Sequence, residues 1–153
     1  MKCIKITNTH WLNTIAPQIQ EYCKIVKSPA IYAQTMATSL HQSIQFGADA
    51  SEVWAVFEEN EPIAFARFFV MPLPYVGAVS CDCFHTWTDN REAIKELMSE
   101  LVSFAKRHKA TYIYSTLYSK KINDLCSELY GELGVAMDSI VHKTQINSVR
   151  QIL

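Results

Sequence analysis

Glycine is scarce in this chain. There are four in 153 residues, and none between Gly77 and Gly131. Across that stretch the sequence excludes the glycine-rich turns that let backbone N–H groups close on a phosphate. A basic excess is missing too: 14 Lys and Arg stand against 15 Asp and Glu, for a formal charge of −1. Nothing here predicts nonspecific binding to nucleic acid or to an anionic membrane. No apolar run approaches the ~20 residues of a membrane-spanning helix. The N-terminus lacks the apolar core of a signal peptide, so secretion by that route is not expected. The five cysteines, Cys3, Cys23, Cys81, Cys83 and Cys126, are odd in number and follow no disulfide spacing. Free thiols in a reducing, cytoplasmic setting are expected.

What is present is a globular composition, 49% hydrophobic and 19% charged, in a chain long enough for one domain with one sizeable core. We read residues 1–153 as a single domain, with 147–153 as a C-terminal tail. Cys3 to Ile6 alternates as a first strand. Trp11 to Val26 reads as a helix with Leu12, Ile15, Ile19, Tyr22 and Val26 on one side, although Pro17 suits only a first turn. Ser28-Pro29 breaks the chain. A second helix runs from Ile31 to Phe46 and stops at Gly47. Val53 to Phe57 and Ile63 to Met71 form a hairpin around a polar turn. After the stiff Met71-Pro72-Leu73-Pro74-Tyr75 loop, Gly77 to Trp87 is a third long strand. Thr88-Asp89-Asn90 offers caps for a helix from Arg91 to His108, whose stripe is Ile94, Leu97, Met98, Leu101, Val102 and Ala105. Thr111 to Tyr118 is a strand. A helix from about Lys121 comes next, and Val135 to Ile146 supplies one bent strand or two short ones. The order β-α-α-β-β-β-α-β-α-β predicts an α/β (α+β) domain built on one mixed sheet with helices on both faces.

In Asn123 to Val135, the residues Leu125, Leu129 and Leu133 recur at helical spacing, with Cys126 and Tyr130 beside them and Gly134 as the stop. The run resembles the fourth helix of the GCN5-related N-acetyltransferase (GNAT) superfamily, whose pattern is roughly N-x-x-A-x-x-L-Y-x-x-L-G-F. The Arg91 to His108 helix with the adjoining Thr111 to Tyr114 is similar to the family's third helix and fifth strand. Ile140-Val141-His142-Lys143 is similar to its closing strand. The resemblance spans nearly the whole chain and implies a GNAT-like, mostly antiparallel sheet of six to seven strands. It also implies amine attack on an acyl thioester. Backbone donors at a helix N-terminus would bind the coenzyme A pyrophosphate, a splay between two strands would admit pantetheine, and a base and an acid would move the protons.

The family's Q/R-x-x-G-x-G/A turn falls here on Asp89 to Ile94. Asp89 takes the first position, and Glu92 and Ile94 replace the glycines. Arg91 adds one cation. If the chain is active, Asn90, Arg91 and Asn123 are the cofactor-binding candidates, Tyr130 is the general acid, and Asp82 or His85 is the base. Each has a plainer role available: Tyr130 as a core-edge aromatic, Asp82 as a solvent-facing residue. Cys81, Cys83 and His85 alternate, which would set them on one face. Three such ligands suit zinc, but no fourth accompanies them, so no metal is expected and cysteines packed under a helix are the better reading. Aromatics on Thr111 to Tyr118, with Pro72 to Tyr75 nearby, suggest either core or a partner surface.

The expectation drawn from the missing turn is a GNAT-fold protein without acetyl-coenzyme A, not an enzyme. It would act through protein partners in a larger assembly, in the manner of small GNAT-like structural proteins of bacteriophage virions. Its location would then be cytoplasm or virion. The alternative is an acyl-coenzyme A-dependent N-acetyltransferase with an atypical cofactor site.

Overall fold

The computed structural model describes residues 1–26, 33–47, 51–86, 90–115 and 120–135. In chain order the elements are β1 (Lys2–Ile6), α1 (Trp11–Val26), α2 (Ala33–Phe46), β2 (Ser51–Glu58), β3 (Glu61–Val70), β4 (Ala78–Thr86), α3 (Arg91–Arg107), β5 (Tyr112–Ser115) and α4 (Lys120–Glu132). The described strands form one five-stranded sheet in the order β1-β2-β3-β4-β5. The first three pairings are antiparallel and β4–β5 is parallel. The mixed, mostly antiparallel sheet is therefore as expected, but five strands replace the expected six to seven. The further strand expected up to Ile146 lies, beyond Val135, outside the described residues, as do the 147–153 tail, Asp89 and Tyr118.

Two apolar faces explain why the sheet sits between helices. On β2, Val53, Ala55 and Phe57 join Phe65 of β3 in one core with Leu12, Ile15, Ile19 and Tyr22 of α1 and Met36 and Leu40 of α2. The intervening residues point the other way. Val56, Ala64, Ala66, Phe68 and Val79 form a second core with the α3 stripe and with Cys126, Leu129 and Tyr130 of α4. The period-2 alternation of the central strands thus feeds both faces, each closed by a helix pair with a 3.6-residue stripe. Pro17 does not end α1, which runs through it to Val26. Pro17 is exposed, so the carbonyl that loses its amide partner can turn to water.

Helix ends direct the chain into the next element. The side-chain oxygen of Asn90 accepts from the Ala93 N–H at 3.1 Å and caps α3. At the other end of α3, Lys109 takes φ +53, and its N–H and that of Ala110 close on Lys106 O and Ala105 O. The same turn ends α4. Gly134 sits at φ +73, with Gly134 N–H on Gly131 O and Val135 N–H on Tyr130 O. This paired bonding satisfies the last carbonyls of each helix. It confirms Gly134 as the stop of α4 and fixes the backbone of Tyr130.

Glu52 of β2 is a buried acid beside the end of α3. It accepts from Lys5 Nζ at 2.8 Å, Trp54 Nε1 at 2.9 Å and Arg107 Nη2 at 2.8 Å, tying β1, β2 and the end of α3 together. Burial works to raise its carboxyl, but the hydrogen bonds from Lys5 and Trp54 and the charges of Lys5 and Arg107 outweigh it. Glu52 is held below its ordinary range.

Candidate active site

The site begins with a register slip. Along β3–β4, Arg67 lies opposite Asp82 and Phe65 opposite His85, so Cys83 and Phe84 together stand against Ala66. That is a β-bulge on β4, one extra residue that bends the strand and raises its twist. The slip also corrects the alternation expected of Cys81, Cys83 and His85. Cys81 lies opposite Phe68 and His85 opposite Phe65, and those two phenylalanines belong to different cores. The register positions of Cys81 and His85 are therefore out of phase. Among the described residues no three His, Cys, Asp or Glu side chains are placed to hold a metal ion.

The bulge stands just past the last described pair of β4 and β5. Their described pairs run from Ala78↔Tyr112 to Cys81↔Ser115, and β4 itself runs to Thr86. At that last pair stands Tyr130. It is buried in the α3–α4 core with Cys81 and Cys126, and its hydroxyl lies 2.9 Å from Ser115 Oγ. Burial pushes the phenol well above its ordinary value, with the Ser115 hydrogen bond pulling the other way. Burial also pushes the neighbouring Cys126 thiol up to about 12. A thiol so protonated at neutral pH is a poor nucleophile.

Asp82 lies apart from Tyr130. Both of its carboxylate oxygens accept from Arg67, one at 2.7 Å from Nε and the other from Nη2. Arg67 in turn donates to Ser39 of α2. This fork places Asp82 on the α1–α2 side of the sheet, whereas Tyr130 works from the α3–α4 side.

The remaining candidates gather where α3 starts beside α4. Arg91 opens α3, but its Nη2 is shared between Glu128, at 2.8 Å, and Glu132. Lys95 also reaches Glu132 at 3.1 Å. The Lys95 hydrogen bond foremost holds the Glu132 carboxyl below its ordinary value. Asn90 is engaged in capping, and Glu92 stands in the first turn of α3. Asn123 is half-buried in the first turn of α4, where its carbonyl accepts from Ser127 at 2.9 Å. Helix geometry leaves the first N–H groups of α3 without partners inside the helix, a favourable place for an anion. The side chains around them do not form a phosphate cradle, because Arg91 is already neutralised and Glu92, Glu128 and Glu132 are acidic. The opposite end of β4 is apolar: Leu73, Tyr75, Val76 and Tyr112 are exposed, and Tyr75 packs edge-on against Tyr114.

Sequence reasoning missed four partners. Ser115 completes the Tyr130 corner, Arg67 occupies Asp82, and Glu128 and Glu132 occupy Arg91. Only the last pair left a trace, as two acids at i,i+4 on α4 flanking its leucine stripe.

The chain has the GNAT fold and aligns over nine-tenths of its length with solved acetyltransferases of that class. A predicted acetyltransferase from Clostridium acetobutylicum, solved with acetyl-CoA, superimposes with a TM-score of 0.65 at 16% identity, over 90% of each chain. A ribosomal-protein-alanine N-acetyltransferase from Brucella melitensis gives 0.60 at 18% identity, over 90% of this chain and 94% of that one. Glucosamine-6-phosphate N-acetyltransferase from Arabidopsis thaliana gives 0.64 at 11% identity, over 90% and 92%. No family model matches the chain, and no curated protein matches it by sequence. Among the described residues, no helix is long and apolar enough to cross a membrane.

Proposed function

We propose that this chain is an N-acyltransferase that takes its acyl group from a coenzyme A thioester, with Tyr130 as general acid. One observation carries the reading: a buried phenol is hydrogen-bonded at the last described β4–β5 pair, close to a bulge on β4. In the reaction a neutral amine attacks the thioester carbonyl, a C–N bond forms and the C–S bond breaks. The departing thiolate takes the proton of Tyr130 Oη, and the phenolate regains one from solvent. The amine's proton passes to a base on β4. Asp82, engaged on both oxygens by Arg67, and His85, opposite Phe65 in the register, are the candidates for that base.

Neighbours of the same fold, one of them solved with acetyl-CoA, support the acyltransferase reading over the non-catalytic virion component, for which the comparisons offer no support. The altered turn at Asp89 to Ile94 then bears on how the donor is gripped, not on whether transfer occurs. Tyr130→Phe is expected to slow thiol release from acetyl-CoA, in the presence of a panel of primary amines, by about a hundredfold or more, the usual worth of a general acid. The circular dichroism spectrum should stay unchanged. A wild-type protein that releases no thiol with any amine of the panel would overturn the reading.

A further inference from the structure

The Tyr130 hydroxyl has one proton and, in this structure, a partner that can use it. Ser115 Oγ lies 2.9 Å away, and either oxygen can be the donor. The choice decides the chemistry. If Tyr130 donated to Ser115, its proton would point into the strand and away from a departing thiolate. If Ser115 donates, the Tyr130 proton is left for the thiolate, and the phenolate that forms keeps a hydrogen bond directed at its new charge. The backbone favours a fixed partnership. Ser115 sits at the last described pair of β5, opposite Cys81, while Tyr130 is held by the turn that closes α4 onto its carbonyl.

We infer that Ser115 is a positioning residue for acyl transfer: its hydroxyl donates to Tyr130 Oη, aims the Tyr130 proton at the leaving thiolate and stabilises the resulting phenolate. Nothing in the Ser115 side chain touches the thioester; it acts through Tyr130. The inference rests on the acyltransferase reading above. It is supported electrostatically, because burial makes the phenol reluctant to ionise and the Ser115 bond opposes that effect. No other group named at this corner does so.

The test compares wild type, Ser115→Ala, Ser115→Thr and Tyr130→Phe. Release of coenzyme A from acetyl-CoA is followed by chromatography with a fixed mixture of spermidine, glycinamide and an alanyl peptide as acceptors. A second donor is the acetyl thioester of 4-nitrothiophenol, whose thiolate departs without needing a proton. Ser115→Ala is expected to lower kcat with acetyl-CoA by about ten- to a hundredfold, the worth of one hydrogen bond to a charged group. KM should change by less than about threefold. Ser115→Thr, which keeps the hydroxyl, should recover most of the loss. With the nitrothiophenol thioester the Ala variant should run near the wild-type rate, a selectivity that a merely loosened fold would not produce. If Tyr130→Phe is slow but Ser115→Ala matches wild type, or if the Ala variant slows both donors equally, the role of Ser115 is overturned while the acyltransferase reading stands. If wild type turns over neither donor, or Tyr130→Phe is unimpaired, that reading falls and takes the inference with it.

Discussion

Arg67 grips both carboxylate oxygens of Asp82 from the neighbouring strand and reaches Ser39 of α2 with its remaining nitrogen. The pair is only partly exposed, with side chains 18% and 31% accessible. Asp82→Asn keeps the shape and removes the charge, stranding the guanidinium. Removing one partner of a fully buried pair costs ~3–5 kcal/mol, and partial solvation reduces that to about 1–3 kcal/mol here. Urea denaturation should show that loss as a lower midpoint with an unchanged slope, while turnover of acetyl-CoA stays within about threefold of wild type. Unchanged stability together with lost turnover would instead make Asp82 the base.

Glu52 gives the chain an acid-sensitive clasp. Its carboxyl is lowered in the folded state from the ordinary 4.5. A depressed acid contributes stability that is fully present above its unfolded value and lost as the pH falls through its folded one. Stability should therefore be level near neutrality and fall once the pH drops below about 4.5, beyond what other carboxylates cause. Glu52→Gln should flatten that part of the acid limb and lower stability at neutral pH, because Lys5, Trp54 and Arg107 lose their shared acceptor. Urea midpoints at about pH 7 and about pH 4 check both statements, and parallel curves for the two proteins would refute the clasp.

The ion pairs of Arg91 predict how the donor is recognised. The double variant Glu128→Gln, Glu132→Gln frees that guanidinium and removes two negative charges beside the start of α3. Water screens such charges without abolishing their repulsion of a nearby phosphate, so KM for acetyl-CoA should fall about three- to tenfold. KM for acetyl-pantetheine, which has no diphosphate, should not move. The difference should shrink in high salt. Equal responses from the two donors would place the phosphates elsewhere.

Much of the fold could be read directly from the chain because its signals are local. The α3 stripe from Ile94 to Ala105 has a clear helical period, Asn90 caps it, and Gly134 stops α4, all within a few residues of one another. The site was less legible because it is made of distances across the sequence. Ser115 meets Tyr130 only after β5 and α4 have packed on the same core. Arg67 meets Asp82 only once β3 and β4 have paired. The bulge was hidden for a related reason. Cys81, Cys83 and His85 look alternate in any single-strand reading, and only the register against Phe65 and Phe68 shows the extra residue. Pro17 did not spoil the helix read from Trp11 to Val26, since its exposed position relieves the cost that its sequence context suggested.

Two helices of this domain end in the same turn, one with Gly134 and the other with Lys109 at the left-handed position. A lysine there bears about 1 kcal/mol of backbone strain that a glycine would not. The chain keeps it, and the fold forms around it. The end of α3 is therefore a place where Lys109→Gly should relieve backbone strain rather than add it.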